Sequence, residues 1–333
     1  MKTSIEKLIR QEPLSDMLFQ QALDEMLDPT TNQIQIAAFL VLLRAKKETA
    51  TELAAIVKIL QHNMLRVHTP HKVLDIVGTG GDGFNTVNIS TGSAMLAASC
   101  GIKIAKHGNR SVSSLCGSAD VLEALGVNIQ LTATQVSASI DKIGIGFCYA
   151  PNFHPITQAI KNIRKELNVP TTFNILGPLL NPANAQHLIL GVLNSQLLPI
   201  MADVLLKNGN SRSIIAHSIG LDEINCAGSS EIIEINNKEK FTYKIDPKQF
   251  GFEQCHINDL RGGNAQLNAK LLLNTFQGHR SAIADTLILN AAIALYIYGM
   301  HPSILIAIQH AKETLYNGSV LTLLKNWIEF SHD

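Results

Sequence analysis

The sequence predicts an α/β protein with a small N-terminal helical domain, residues 1–70, and a large α/β domain, residues 71–333. The large domain is expected to hold a central, mostly parallel sheet extended by antiparallel strands. Three observations predict this. Roughly the first 65 residues carry only helical periodicities. From Val73 onward, short β-rich runs alternate with helix-like segments, the pattern of right-handed crossovers between parallel strands. After Ser229 the texture changes to EIIEI and FTYKI, two alternating runs joined by a turn-like Asn236-Asn237, as in a hairpin.

The elements follow in order. Ile34, Ala37, Ala38, Val41 and Leu42 make one apolar helical stripe, and Leu53, Ile56, Val57 and Leu60 make a second. Thr49 and Glu52 have capping-box spacing before the second stripe, and Asp28-Pro29 separates helices. VLDIV reads as a strand running into a glycine cluster. A helix from Thr91 to Cys100 is stopped by Gly101. A strand IKIA, a polar loop and a helix SADVLEAL closed by Gly126 come next. NIQL reads as a strand, followed by a helix started near Thr132 with Gln135 at capping-box spacing. IGFCYA, HLILGVL and RSIIAHS read as strands with helices between them. The most apolar run, Ala282 to Met300, contains Asp285 and Asn290, so it reads as a buried helix and not a membrane span. No internal repeat and no low-complexity linker is present.

Composition narrows the function classes. Of the 333 residues, 46% are apolar and 16% charged, which fills a core and argues against disorder. The formal net charge is zero, which argues against nucleic-acid binding. Cys100, Cys116, Cys148, Cys226 and Cys255 form no C-x-x-C pair, consistent with a reduced, cytoplasmic protein. The start, MKTSIEKLIRQEP, has no apolar core of a signal peptide.

Three polar loops fall at predicted strand ends, where open α/β sheets bind ligands. GTGGDGFNTVNIST, Gly78 to Thr91, has four glycines in six residues, letting main-chain N–H groups approach an anion. Asn88, Ser90 and Thr91 then precede a helix, whose N-terminus favours phosphate. The loop has neither the G-x-G-x-x-G nor the G-K-[ST] pattern. KHGNRSVSS, Lys106 to Ser114, brings two cations, a bend at Gly108 and donors on Ser111, Ser113 and Ser114, with Ser118 expected to cap the next helix. GLDE, Gly220 to Glu223, places adjacent carboxylates where magnesium and phosphate could meet. Together the loops point to a phosphorylated metabolite with magnesium. They do not name the reaction.

GTGGDGFNTVNIST, KHGNRSVSSLCGSADVLEALG, NFHP, FNILGPLLNP and GLDE resemble, in the same order, the signature segments of the anthranilate phosphoribosyltransferase family. The resemblance runs from about Val73 to Glu223; the helical start and the apolar helix near Asn290 also fit. It implies a fold shared with nucleoside phosphorylases, transfer of phosphoribose from 5-phosphoribosyl pyrophosphate to anthranilate in tryptophan biosynthesis, two Mg2+ ions per subunit and a cytoplasmic homodimer, with no membrane or nucleic-acid partner. It also implies that residues 157–185 or so join the helical domain. It places the sugar donor on Gly78, Gly81, Asp82, Thr86, Asn88, Ile89, Ser90, Thr91, Lys106, His107, Gly108, Asn109, Arg110, Ser111, Val112, Ser113, Ser114 and Ser118. Magnesium would sit on Ser90, Asp222 and Glu223. Anthranilate would meet Gly78, Asn109 and Arg164, with His107 and His154 along its route. Three positions depart from the family's pattern: Asn168 stands for a common glycine, Gly92 for a common alanine, and Gln158 for a frequent tyrosine.

In this reading the catalytic residues are Asp222, Glu223, His107 and Arg164. The carboxylates and Ser90 would offset charge on the departing pyrophosphate through magnesium. The neutral aromatic amine needs positioning more than a strong base. His107 is read either as a proton acceptor or as an orienting group. Helical spacing puts Arg164 on a face with Ile160, Ile163 and Leu167, while Lys161 and Lys165 point away, so an inward Arg164 calls for an anion. Two rival readings are a pyrimidine nucleoside phosphorylase and a non-catalytic, nucleic-acid-binding relative. KHGNR and GLDE argue against the first; the balanced charge and intact acidic pair argue against the second.

Overall fold

The structure, a computed structural model, describes residues 1–81, 83–111 and 115–333. Asp82, Val112, Ser113 and Ser114, named above as donor contacts, lie outside the described residues.

Four helices, Lys2–Ile9, Asp16–Leu27, Gln33–Lys46 and Ala50–Asn63, open the chain. The capping box at Thr49 forms: Thr49 Oγ1 accepts from the Glu52 N–H, and Glu52 accepts from the Thr49 N–H at 3.1 Å. The second stripe is buried throughout. The first is not. Ile34 is 78% exposed and Val41 38%, while Ile36, Phe39, Leu40 and Leu43 face inward. The helix QIQIAAFLVLLRAK is apolar on most of its circumference, so spacing left two candidate faces, and the one carrying Phe39 packs.

Seven strands form one sheet: β1 Leu74–Gly78, β2 Ile104–Gly108, β3 Ile145–Tyr149, β4 His187–Gly191, β5 Arg212–Ser218, β6 Ser230–Asn236 and β7 Glu239–Ile245. Their order is β3-β2-β1-β4-β5-β6-β7, parallel through β5 and antiparallel beyond. The chain winds outward from β1 to β3 and returns to β1's other side with β4, so the order reverses between β1 and β4. A crevice opens there, outside the carboxyl ends.

Several expected elements differ: the helix expected from Thr91 begins at Ile89, so Ser90 and Thr91 lie in its first turn and only Asn88 precedes it. The strand read as IKIA continues to Gly108, so Lys106 and His107 belong to β2 and are rigidly held. NIQL is no strand; Asn128 instead bonds Ser331 at the C-terminal helix. The hairpin turns at Asn237 and Lys238, both with positive φ, one residue later than expected.

Two apolar layers cover the sheet. Helices Ile89–Ser99 and Ala282–Tyr298 fill one side. On the other, helix Leu197–Lys207, the inward face of the first four helices, and Ile156, Ile160, Ile163 and Leu176 form one cluster with Leu188, Leu190 and Ile215. No described helix is long and apolar enough to cross a membrane.

Candidate active site

The three polar loops, distant in sequence, line one cleft of about 1030 Å3 between the strand ends and the helices. Its walls include Gly78, Gly81, Thr86, Asn88, Ser90, Lys106 to Ser111, Ser118, His154, Arg164, Asp222 and Glu223. Ile89 and Thr91, also named for the donor, are instead buried beneath it.

Glycines let the acidic segment lie on the sheet. Gly78 and Gly191 are register partners at the ends of β1 and β4. A Cβ on Gly191 would stand 1.4 Å from the Asp222 carbonyl oxygen, and one on Gly78 would stand 2.2 Å from Asp222 Oδ2. At Gly191 no side chain fits against the Asp222 main chain, and at Gly78 one would push the Asp222 carboxylate aside. Above this floor Gly80, Gly81 and Gly83 all have positive φ, so the loop takes turns that other residues rarely adopt. The Gly80 N–H donates to Asp222 Oδ2. Glu223 accepts from Thr86 Oγ1 and from the Ser90 N–H, each at 3.4 Å. Two carboxylates beside a serine hydroxyl form a hard oxygen set, the chemistry magnesium prefers.

Lys106 is the cation nearest to this set. It is 2% exposed, and its Nζ donates to the Ile76 carbonyl at 2.8 Å and to Ser90 Oγ at 3.4 Å. Burial lowers its pKa, while Asp75 and Glu223 favour its charged form. Asp75, the second residue of β1, is fully buried. Its Oδ1 accepts from the His107 N–H at 3.2 Å and its Oδ2 from Asn181 Nδ2 at 2.7 Å. Burial pushes its carboxyl up to about 6, against the pull of Lys106 and Asn181.

His107 and His154 meet over the cleft wall. His107 Nδ1 lies 3.1 Å from the Gly177 carbonyl, and the two Nε2 atoms are 3.1 Å apart. Burial holds His154 down at about 4, and burial with the neighbouring His154 holds His107 well below the usual histidine value.

Arg110 faces the helix Ser118–Ala124, with Nη1 2.9 Å from Asp120 Oδ1 and Nη2 2.8 Å from Glu123 Oε1. Ser118 is the first residue of that helix and not its cap; the cap is Gly117, whose N–H donates to Asp120 at 2.8 Å. Ser118 Oγ donates to the Asn109 carbonyl at 3.2 Å and so braces the loop.

The far end of the cleft is built from short helices, Ala150–Phe153, Pro155–Ala159, Lys161–Leu167 and Phe173–Leu176. Arg164 points inward, as its spacing implied. Its Nη2 donates to Asn174 Oδ1 at 3.2 Å, and burial lowers its pKa. Arg44 and Glu48 pair at 3.0 Å at the rim, and Glu48 also accepts from Thr172 Oγ1.

The departures have physical readings. Asn168 caps Lys161–Leu167 with φ +48°, a left-handed position where asparagine is a common substitute for glycine. A Cβ on Gly92 would meet Leu272 and Leu287 at 2.8 Å. Gln158 is exposed, and Thr157 lines the cleft instead. Asp75, Asn181, Asn174 and Gly191 were missed by the sequence reading. An acid inside the apolar run VLDIV was a signal for Asp75, and Asn174 and Asn181 stood within the segment FNILGPLLNP without a role assigned to them.

Residues 2–64 match the helical bundle domain of a glycosyl transferase family, and residues 70–321 match its a/b domain. Anthranilate phosphoribosyltransferase of Chlamydia felis is 49% identical over 298 residues, 89% of this chain and 87% of that protein. The Acetivibrio thermocellus enzyme of the same name is 42% identical over 334 residues, covering 100% and 97%. Among solved structures, anthranilate phosphoribosyltransferase from Thermus thermophilus superposes with a TM-score of 0.92 at 34% identity, covering 99% of each chain. The Saccharomyces cerevisiae enzyme in complex with PRPP and Mg does so with 0.91 at 28% identity, covering 99% and 97%.

Proposed function

The chain belongs to the anthranilate phosphoribosyltransferases, pentosyltransferases that move phosphoribose from 5-phosphoribosyl pyrophosphate to anthranilate, and from that premise we propose which residues carry the reaction. One observation carries the assignment: the glycine floor of β1 and β4 brings Asp222 and Glu223 to Ser90 and the buried Lys106.

Asp222, Glu223 and Ser90 are the proposed magnesium ligands, for two ions per subunit. Bound magnesium supplies positive charge to the leaving pyrophosphate. The amides of Gly78 to Gly81 and the polar groups of Thr86, Asn88, Lys106, Asn109 and Ser118 bind the donor's anionic groups. The carbon–oxygen bond to pyrophosphate breaks as the amine nitrogen closes on the ribosyl carbon; pyrophosphate leaves with the bonding pair, the proton that the nitrogen sheds passes to it or to water, and positioning governs the rate. Arg164 takes the acceptor's carboxylate through its planar fork. His107 and His154 border the acceptor. Both His107 nitrogens have close neighbours and its basicity is low, which supports an orienting role.

The helical domain is proposed to comprise residues 1–70 with residues 157–185. The clustering of Ile160, Ile163 and Leu176 with residues of the first four helices supports this. A cytoplasmic homodimer completes the reading, with the exposed apolar residues Ile34 and Val41 of one helix as support.

Anthranilate fluorescence tests the activity. Signal should fall only when both 5-phosphoribosyl pyrophosphate and magnesium are present. Phosphorolysis of a nucleoside by inorganic phosphate, with the anthranilate signal unchanged under the first conditions, would overturn the reading.

A further inference from the structure

Helix Ala282–Tyr298 is the core of the α/β layer, with 13 of its 17 residues buried. Two of the buried residues are polar: Thr286 at 0% and Asn290 at 3% exposure. They sit one turn apart, on one face. A helix of Leu, Ile and Ala has no packing need for a buried amide, which costs stability unless its donors are satisfied.

Both side chains act on the same short segment. Asn290 Nδ2 donates to the Ile224 carbonyl at 2.6 Å and to the Thr286 carbonyl at 2.8 Å. Thr286 Oγ1 accepts from the Cys226 N–H at 3.3 Å. Between these anchors Asn225, 0% exposed, donates to the Glu223 carbonyl at 2.9 Å and accepts from the Ala227 N–H at 2.9 Å. The segment directly after the acidic pair is thus tied to the core helix at residues 224 and 226. Asn290 also shares with Ser90, Asp222 and Glu223 the wall of a cavity of about 10 Å3, room for a single water at most.

We propose that Asn290 and Thr286 are positioning residues for the Asp222–Glu223 pair, fixing from behind the main chain whose front rests on Gly78 and Gly191. The inference rests on the reading of that pair as magnesium ligands. Without the clamp the two carboxylates keep their chemistry but lose a fixed separation from Ser90 and Lys106. Magnesium-dependent donor binding then weakens, while acceptor binding at the far end of the cleft does not change.

The test is calorimetric titration of the full chain with 5-phosphoribosyl pyrophosphate at several magnesium concentrations, alongside Tm and the anthranilate KM. Asn290→Leu removes both donated bonds without adding charge. Its donor Kd should rise about tenfold, with a matching rise in the magnesium needed, while the anthranilate KM stays within about twofold. Thr286→Val removes one bond at constant shape and should weaken donor binding about threefold. Thr286→Ser, which packs less well but keeps the hydroxyl, should restore it. The clamp is overturned if Asn290→Leu, or Thr286→Val where the first variant does not fold, lowers Tm but leaves donor Kd and magnesium dependence within about twofold of the parent. Glu223→Gln separates the two readings. If it keeps the parent's magnesium dependence, the metal assignment fails and the clamp with it. If it loses that dependence while the Asn290 and Thr286 variants keep theirs, only the clamp fails.

Discussion

The two ends of the cleft are made differently. At the strand end, Lys106 is 2% exposed and Asp222 7%, and their neighbours are main-chain atoms of a five-strand parallel array. At the helix end, Arg164 is half-buried and rests on one side chain, Asn174, carried by a helix of four residues. Strand ends cannot shift without breaking sheet hydrogen bonds; short helices joined at prolines can. A multiply charged donor with magnesium is best met by charges whose positions are already fixed, since preorganised groups need no rearrangement as charge develops. A planar, singly charged acceptor needs only a shape and one cation. The lesson is that rigidity is placed where charge changes most.

Glu223→Gln should break the rigid end most severely. Loss of one contact to developing charge costs about 2.7–4 kcal/mol, so kcat should fall roughly a hundredfold or more with Tm little changed. Steady-state rates across a magnesium series check it; near-normal turnover at limiting magnesium would refute the metal role. Lys106→Gln should come next. Removing a charge-assisted contact of about 1.5–3 kcal/mol should raise the donor KM at least about tenfold and leave the anthranilate KM nearly unchanged. Movement of the acceptor KM alone would reverse the proposed polarity of the cleft.

Arg164→Ala probes the other end. The side chain is half-buried and has a neutral partner, so the lower bound of about 1.5 kcal/mol applies, roughly a tenfold rise in the anthranilate KM with donor and magnesium dependence intact. Aniline, which lacks the carboxylate, should lose little further. A drop in Tm with an unmoved anthranilate KM would make Arg164 structural.

The smallest effect is in pH. His154 titrates near 4 in the folded chain and near 6.5 unfolded, so the unfolded state binds more protons between these values and stability falls as pH drops through that window. From pH 7 to 6 its share is about 0.7 kcal/mol. Asp75, raised to about 6, acts in the opposite sense over the same interval, because the folded state takes up its proton first. Comparing urea midpoints of the parent and His154→Asn at both pH values reads the histidine pair, because His154 also helps to hold His107 down. An equal pH slope in both would refute its depressed titration.

Much of this comparison was legible in the sequence, but unevenly. Loop chemistry was legible where residue type and spacing carry the information, as in GTGGDG, KHGNR and GLDE. The inward turn of Arg164 followed from helical spacing alone. What the sequence hid were cross-element relations. Gly191 looks like any strand-end glycine until Asp222 lies on it, and Asn181 reaches Asp75 across 106 positions. The stripe at Ile34 was misread because an almost wholly apolar helix has no unique inward face, and only the packing of Phe39 decides it. Lys106 and His107 looked like loop residues because they are polar. They belong to a strand because Asp75, Ile76 and Gly177 offer them partners inside.

The sheet's two edges carry a further consequence. β3 is buried along its whole length and has helix Ala133–Lys142 packed on it, whereas β7 is exposed at six of seven positions to some degree and ends the hairpin in open solvent. An open edge is a template on which another chain can add a strand. Here the edge reads EKFTYKI, so Lys240 and Lys244 flank the exposed Phe241, and Lys240 is tied to Asp203 at 2.7 Å. A second chain approaching this edge would have to desolvate charged groups, the Lys240–Asp203 pair and Lys244, before making its first hydrogen bond. Charged residues on an edge strand are the usual means of discouraging such addition, and this one carries Lys240 and Lys244 independently of the chemistry at the other end of the strands.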